Sequence, residues 1–305
     1  MPCYTPLSGY RAKAPGKSGG FGIVFDRSLS HGQHMSVGCG QCIGCRLDYS
    51  KMWAMRCMHE AALHADNCFI TLTYCDESLP SGHSLVKWHF TDFMKRLRRE
   101  YHGSRIRYYM CGEYGDQFSR PHYHACLFGF DFPDKEFYAK PNGFALYTSD
   151  SLAERWGHGF CTVGELSYET AAYTARYIMK KVTGDMAHAH YMVVDPDTGE
   201  IYFVEPEYCT MSRRPGIARD WFEEFGSDVF PSDEVIINGK VCKPPRFYSD
   251  ILQLDSPESY ERLKRKRSDW FGLHSGDCTP RRLRDRETVA RARVDSLKRS
   301  FDHGS

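Results

Sequence analysis

Arg120-Pro-His-Tyr-His-Ala-Cys-Leu-Phe128 is the stretch on which the reading of this chain turns. Residues two apart on a β-strand project from the same face. His122 and His124 therefore aim both imidazoles at one point, which is a metal-ligand geometry. Pro121 stands where a strand begins, and Tyr123, Ala125, Leu127 and Phe128 give the segment the apolar character of a central, buried strand. On these residues alone the pair also fits surface or core histidines with satisfied hydrogen bonds.

Working outward, residues 105–113 read as a second strand, joined to the first by the turn-forming Tyr114-Gly-Asp-Gln-Phe-Ser-Arg-Pro121. An antiparallel hairpin with such a loop returns the chain so that the Glu113 carboxylate approaches His122 and His124. Two imidazoles and one carboxylate leave positions open for water and phosphate oxygens, as a catalytic metal site requires. Upstream, Cys68-Phe-Ile-Thr-Leu-Thr-Tyr74 alternates and is rich in strand formers. Residues 47–65 and 85–100 carry helical patterns, the second with apolar spacing at Leu85, Trp88, Phe93 and Leu97. A short strand over 160–165 precedes a helix over 168–182, with Ser167 as its N-cap and Gly184 as its stop. The order strand, helix, three strands, helix predicts an α+β fold: an antiparallel sheet with helices on one face. Hairpins are expected around Asp195-Pro-Asp-Thr-Gly199 and around Asn238-Gly239. Pro244 and Pro245 mark a boundary before a charged tail. The organisation expected is an N-terminal Gly/Cys-rich segment (1–46), a core (47–190), a hairpin-containing extension (191–250) and a basic tail (251–305).

The helix over 168–182 reads Tyr168-Glu-Thr-Ala-Ala-Tyr173-Thr-Ala-Arg-Tyr177-Ile-Met-Lys180-Lys181-Val182. At about 100° per residue, Tyr173, Tyr177 and Lys180 fall within roughly 60° of one another. Ala171, Ala175, Ile178 and Val182 cluster on the opposite side, so the tyrosines are not simply the aliphatic packing stripe. The alternative is an aromatic i,i+4 pair packed into a core.

Thirteen cysteines, several of them single within apolar stretches (Cys57, Cys68, Cys126, Cys161), suit reduced thiols in a cytoplasm more than a disulfide scaffold. Cys39, Cys42 and Cys45 supply three thiols at two-residue gaps, and Cys3, His31 or His34 could complete a tetrahedral structural Zn²⁺ site. An iron–sulfur run would want its fourth cysteine at 49, where Tyr49 stands. Ordinary reduced cysteines at a helix start are the alternative.

The formal charge of +1 hides an asymmetry, because residues 262–299 hold 13 Lys/Arg against 5 Asp/Glu. That suggests a basic appendage for a polyanion, or else a solvated, arginine-rich helix surface. With 41% hydrophobic and 26% charged residues the chain can bury a substantial core. No run of about 18 apolar residues suits a membrane span, and Met1-Pro-Cys-Tyr lacks the layout of a signal peptide. Gly16-Lys-Ser18 is not a P-loop, since the first glycine would fall at Arg11.

The order of the Phe-Ile-Thr-Leu-Thr strand, the His-Tyr-His strand and the Tyr-x-x-x-Tyr-x-x-Lys helix resembles the HUH rolling-circle replication initiators. It is most similar to the two-tyrosine initiators of microviruses, and among them the gokushovirus branch. Cys39-Gly-Gln-Cys-Ile-Gly-Cys-Arg46, Arg56-Cys-Met-His-Glu-Ala61, Cys111-Gly-Glu-Tyr-Gly115 and Ser212-Arg-Arg-Pro-Gly-Ile217 look like that branch too. The resemblance implies a ferredoxin-like HUH palm, His122 and His124 as ligands of Mg²⁺ or Mn²⁺, Tyr173 and Tyr177 as nucleophiles, and Lys180 as the motif lysine. Glu113 is the third ligand expected from the hairpin. It further implies an endonuclease that nicks single-stranded or supercoiled viral DNA at an origin, working with host DNA polymerase and helicase in the host cytoplasm. A relaxase or transposase of the same chemistry, or a zinc-stabilised, non-catalytic single-strand binder, are the competing expectations.

Overall fold

The computed structural model describes residues 3–15, 21–115, 118–176, 181–182, 184–194 and 198–296. The chain gathers into two compact units, one of Met1–Tyr49 with Arg265–Lys298 and the other essentially Ser50–Lys264.

The opening, read in sequence only as a Gly/Cys-rich segment, contains a small antiparallel sheet. Strands β1 (Leu7–Ala12), β2 (Ile23–Val24) and β3 (Ser30–Val37) lie in the order β2-β1-β3. Helix α1 (Ile43–Ala61) follows, beginning four residues earlier than its apolar pattern predicts because it starts within the cysteine cluster.

In the larger unit come β4 (Asn67–Leu72), α2 (Lys87–Glu100), β5 (Arg107–Tyr114), β6 (Pro121–Phe128), β7 (Glu136–Ala139), β8 (Leu146–Thr148), α3 (Asp150–Trp156), β9 (Cys161–Gly164) and α4 (Tyr168–Arg176). Then follow α5 (Met186–His190), the β10 (Met192–Val194) and β11 (Ile201–Phe203) hairpin, β12 (Tyr208–Met211), α6 (Arg219–Val229), the β13 (Val235–Ile237) and β14 (Lys240–Cys242) hairpin, and α7 (Arg246–Asp255). Helices α8 (Pro257–Leu273) and α9 (Pro280–Asp295) complete the described chain. Both predicted hairpins are present; Asn238 and Gly239 take the positive φ values, 50° and 72°, that a tight two-residue turn needs. No helix among the described residues is long and apolar enough to cross a membrane.

Seven strands make one antiparallel sheet in the order β12-β5-β6-β4-β9-β8-β7. The expectation of helices on one face is corrected here, because alternate residues of the central strands feed two separate cores. Ile70, Leu72, Tyr123, Ala125 and Leu127 pack with Phe90, Phe93, Met94 and Leu97 of α2 and with Leu152 and Trp156 of α3. The α2 residues recur at helical spacing, and burying each is worth about 1.5–3 kcal/mol. On the other face Phe69, Tyr109, Cys111, Cys126 and Phe128 pack with α1, α4, α6 and α7 through Ala54, Ala171, Phe222, Tyr248 and Ile251. Helix α3 was missed in sequence because it is only seven residues long; Ser149 caps its start and Gly157, at φ 69°, ends it. With α3 and α2 on one face, α4 is left to the face that carries the histidines.

Two sequence motifs far apart meet on that second face. Arg56 donates to the Ile217 carbonyl, and Glu60, one turn along α1, accepts from the Ala218 N–H. Glu60 also pairs with the buried Arg107, which donates to the Pro215 carbonyl. His59 stacks on Trp221 and hydrogen-bonds the Tyr248 hydroxyl at 2.6 Å. The Arg56–Ala61 and Ser212–Ile217 segments are thus two halves of one clasp holding α1 against the loop before α6.

Candidate functional site

The hairpin of β5 and β6 pairs Glu113 with His122 and Cys111 with His124. All four side chains therefore rise from one face, and β6 is fixed on both sides by β5 and β4. One Glu113 oxygen lies 2.9 Å from His122 Nε2 and 3.0 Å from His124 Nε2, and the donor atoms of all three residues fall within 4.8 Å of one another. Two ligands about 2.1 Å from one ion and at right angles stand about 3 Å apart, so this spacing fits a single small divalent cation. The ring nitrogens agree. His122 Nδ1 faces the Arg120 carbonyl at 3.1 Å, an acceptor only, and must donate to it. With an ion bound, the neutral ring would turn its Nε2 lone pair to the centre; without one, Nε2 carries a proton and donates to Glu113. His124 Nδ1 is held by the Thr71 hydroxyl at 2.9 Å, so its Nε2 also points inward. Glu113 is wholly buried; burial pushes its carboxyl pKa up, but hydrogen bonds from the two histidines outweigh this and hold it below the usual range. Gly112 leaves no alternative beside it, since a Cβ there would sit 2.7 Å from the Tyr208 ring.

Helix α4 brings Tyr173 to this centre. Ser167 caps the helix through the Thr170 N–H, as the sequence predicts, and the Ser50 hydroxyl ties the Ala172 carbonyl to α1. The Tyr173 ring meets His124 edge-on with centroids 5.1 Å apart, while Phe69 stacks on His124 from β4. Tyr173 is itself mostly buried, as are Thr170, Ala171, Thr174 and Ala175. Of the two stripes expected on this helix, the described members Tyr173, Ala171 and Ala175 are all buried, Tyr173 against the histidine strand. Tyr177 and Lys180 lie outside the described residues.

Two supporting groups escaped sequence reading. Thr71 had a usable signal, as a polar residue in a strand pattern on the face opposite Ile70 and Leu72. Glu207 had none. It precedes β12 at the level of Glu113, because Tyr208 pairs with Gly112, and it is buried. It accepts a 2.6 Å hydrogen bond from the Tyr191 hydroxyl, which in turn accepts from the Val182 N–H.

In the smaller unit, Cys3, Cys39, Cys42 and Cys45 bring their sulfurs within 4.8 Å of one another, and could hold Zn²⁺. Cys3, not His31 or His34, is the fourth member. Backbone N–H groups point at the sulfurs: Gln41 and Cys42 toward Cys39, Cys39 toward Cys3, and Tyr4 toward Cys42, at 3.2–3.4 Å. Burial pushes the Cys39 thiol up, yet the Thr5 hydroxyl and these N–H groups bring it down to about 6. Such donors stabilise thiolates, the form that binds metal. The described cysteines form no disulfide, and Cys57, Cys68, Cys126 and Cys161 are buried as small hydrophobes.

Residues 67–182 match the replication-associated protein ORF2/G2P family. The chain is 33% identical over 232 residues to replication-associated protein VP4 of Bdellovibrio phage phiMH2K, covering 73% of this chain and 69% of the relative. It is 31% identical over 288 residues to replication-associated protein ORF2 of Spiroplasma virus 4, covering 88% and 86%, and 30% identical over 226 residues to ORF4 of Chlamydia phage 1, covering 70% and 53%. No solved structure matches. The chain therefore belongs to the replication-associated protein ORF2/G2P family, among the microvirus replication proteins of Spiroplasma, Chlamydia and Bdellovibrio phages.

Proposed function

We propose that this chain is a replication-initiation endonuclease that nicks single-stranded DNA at a viral origin and later rejoins it. The observation that carries the reading is the convergence of Glu113, His122 and His124 on one sheet face with the Tyr173 ring against His124. The strands and helices β4, α2, β5, β6, α3 and β9, with spatial order β5-β6-β4-β9, support a ferredoxin-like HUH palm, since a split βαβ motif has that order.

Mg²⁺ or Mn²⁺ held by these three side chains would neutralise phosphate charge and polarise the scissile bond. The rest falls to the chain. A tyrosine oxygen, Tyr173 or Tyr177, bonds to phosphorus as its phenol gives up a proton; the bond to O3′ breaks and O3′ takes a proton. The products are a 5′-phosphotyrosine and a 3′-hydroxyl that host polymerase, with a helicase, extends. A phenol ordinarily ionises near 10, and Lys180 supplies positive charge for the phenolate or phosphate. Rejoining reverses the step, with a 3′-hydroxyl attacking the tyrosyl ester, so no nucleotide is consumed. Thr71 and the Arg120 carbonyl keep the imidazoles aimed. The four thiolates take a structural Zn²⁺.

Incubating the full chain with a labelled single-stranded circle of the cognate genome and Mn²⁺ should leave a covalent protein–DNA band. Its absence for the wild type, with the metal bound, would overturn the endonuclease reading in favour of a non-catalytic single-strand binder.

A further inference from the structure

We propose that the two ends of the chain form one zinc-stapled nucleic-acid-binding module, separate in role from the nicking centre. The inference rests on the zinc assignment above and on a nucleic-acid substrate, but not on tyrosine chemistry. Residues 251–305 read in sequence as a tail. In the structure, α9 instead belongs to the same compact unit as the N-terminal sheet and the cysteine cluster.

Charge is divided along that line. The segments 1–49 and 265–298 hold 15 Lys/Arg against 7 Asp/Glu, a net of +8, which leaves −7 for the rest of the chain. A body of net −7 repels a polyanion at long range, so the attraction must come from the smaller unit. Its arginines are presented, not buried: Arg281, Arg282, Arg284, Arg291 and Arg293 of α9 are exposed, while Leu283 anchors the helix. Guanidinium groups along one helix suit phosphate oxygens, with no demand on base sequence.

Tyr4 links the metal site to that helix. Its backbone N–H bonds Cys42 Sγ, while its phenol lies within the electrostatic reach of Arg286, Glu287 and Arg293 of α9. Cys3, its neighbour in sequence, supplies one of the four sulfurs. An ion gripping Cys3 together with Cys39, Cys42 and Cys45 therefore fixes the start of the chain beside α9. Zinc occupancy and phosphate binding become linked, and losing the metal frees the segment against which the basic helix is ordered.

The test measures metal content and binding in a His122→Ala/His124→Ala background, where nicking is silent, so that its failure and that of the nicking reading remain distinct. Purified protein expressed with zinc should contain one Zn²⁺ per chain by elemental analysis. Anisotropy with a labelled single-stranded oligonucleotide lacking any origin, without added divalent ion, gives log K against log salt. Replacing Arg284, Arg291 and Arg293 with Gln should flatten the slope by about 2, at about 0.7 for each phosphate no longer neutralised. Cys42→Ser/Cys45→Ser should abolish zinc and flatten the slope to a similar extent. Absence of zinc from the parent, or an unchanged slope in the arginine variant, would overturn the proposal. Should the cysteine variant aggregate, stripping zinc with a chelator and restoring it must lower and then recover affinity; affinity indifferent to zinc sinks the linkage.

Discussion

The two candidate metal sites are built on opposite principles. Glu113, His122 and His124 stand on adjacent central strands, nine to eleven positions apart in sequence, and ladder hydrogen bonds fix their direction before any ion arrives. The cysteines are strung from Cys3 to Cys45 on loops and a helix start beyond the β1–β3 ladder, and hydrogen bonds to sulfur are what orient their thiols. A site made by a sheet needs the ion for chemistry, whereas one made by loops needs it for structure.

The largest expected contrast follows directly. His122→Ala/His124→Ala should abolish adduct formation while the larger unit still unfolds cooperatively, at a midpoint lowered because Glu113 is left buried without its histidine partners. Cys42→Ser/Cys45→Ser should leave adduct formation at saturating protein within about threefold of wild type. Calorimetry and gel-resolved adduct yield check both, and a global collapse of the histidine variant would erase the distinction.

The sheet-built unit then rests on its two apolar cores and on keeping its buried charges paired. Arg107→Met leaves Glu60 buried without its guanidinium partner, which should cost about 3–5 kcal/mol by denaturant unfolding. A loss under 1 kcal/mol would mean that the clasp between α1 and the Ser212–Ile217 loop contributes little.

Acid should act on the same region. Burial holds the His59 imidazole down to about 4, against about 6.5 when unfolded. The unfolded chain therefore binds the extra proton first as pH falls, and the stability present above pH 6.5 is lost progressively toward pH 4. That amounts to about 3 kcal/mol for this group, and His89, lowered by burial to about 4 as well, adds to it. His59→Gln should flatten the pH dependence of unfolding across that window; an undiminished dependence would place its origin elsewhere.

Much of this arrangement was legible in the sequence, and the boundary between what was and was not is physical. Strand alternation at His122 and His124, and the return of the hairpin to Glu113, depend on local periodicity, and the structure brings those three groups together. Cys3 was one of three candidates for the fourth ligand position, because chain closure over 36 residues is a tertiary event that spacing cannot decide. Helices on both faces were missed because α3 is short and α6 and α7 lie beyond the segment whose pattern was clearest. Glu207 was illegible, since the strand that follows it, β12, joins the sheet at an edge from nearly a hundred residues away. Tyr173 was legible as a residue on the helix but not in its burial against His124.

A smaller effect sharpens the comparison further. Thr71→Val keeps the shape but removes the hydroxyl that holds His124 Nδ1. It should weaken Mn²⁺ binding by about 10- to 100-fold, the usual scale for the partner of a ligating histidine, with zinc content unchanged. Equal Mn²⁺ titrations for the two proteins would show that β6 alone orients the ring.

The most direct test of the central claim is to digest the covalent adduct formed with origin DNA and Mn²⁺ and map the modified residue by mass spectrometry. Wild type should carry the nucleotide on Tyr173 or Tyr177, each single Phe variant on the remaining tyrosine with poor circle release, and the double Phe variant on nothing. An adduct that persists in the double variant, or maps to any residue away from α4 and the segment after it, would contradict the placement of the nucleophile beside Glu113, His122 and His124.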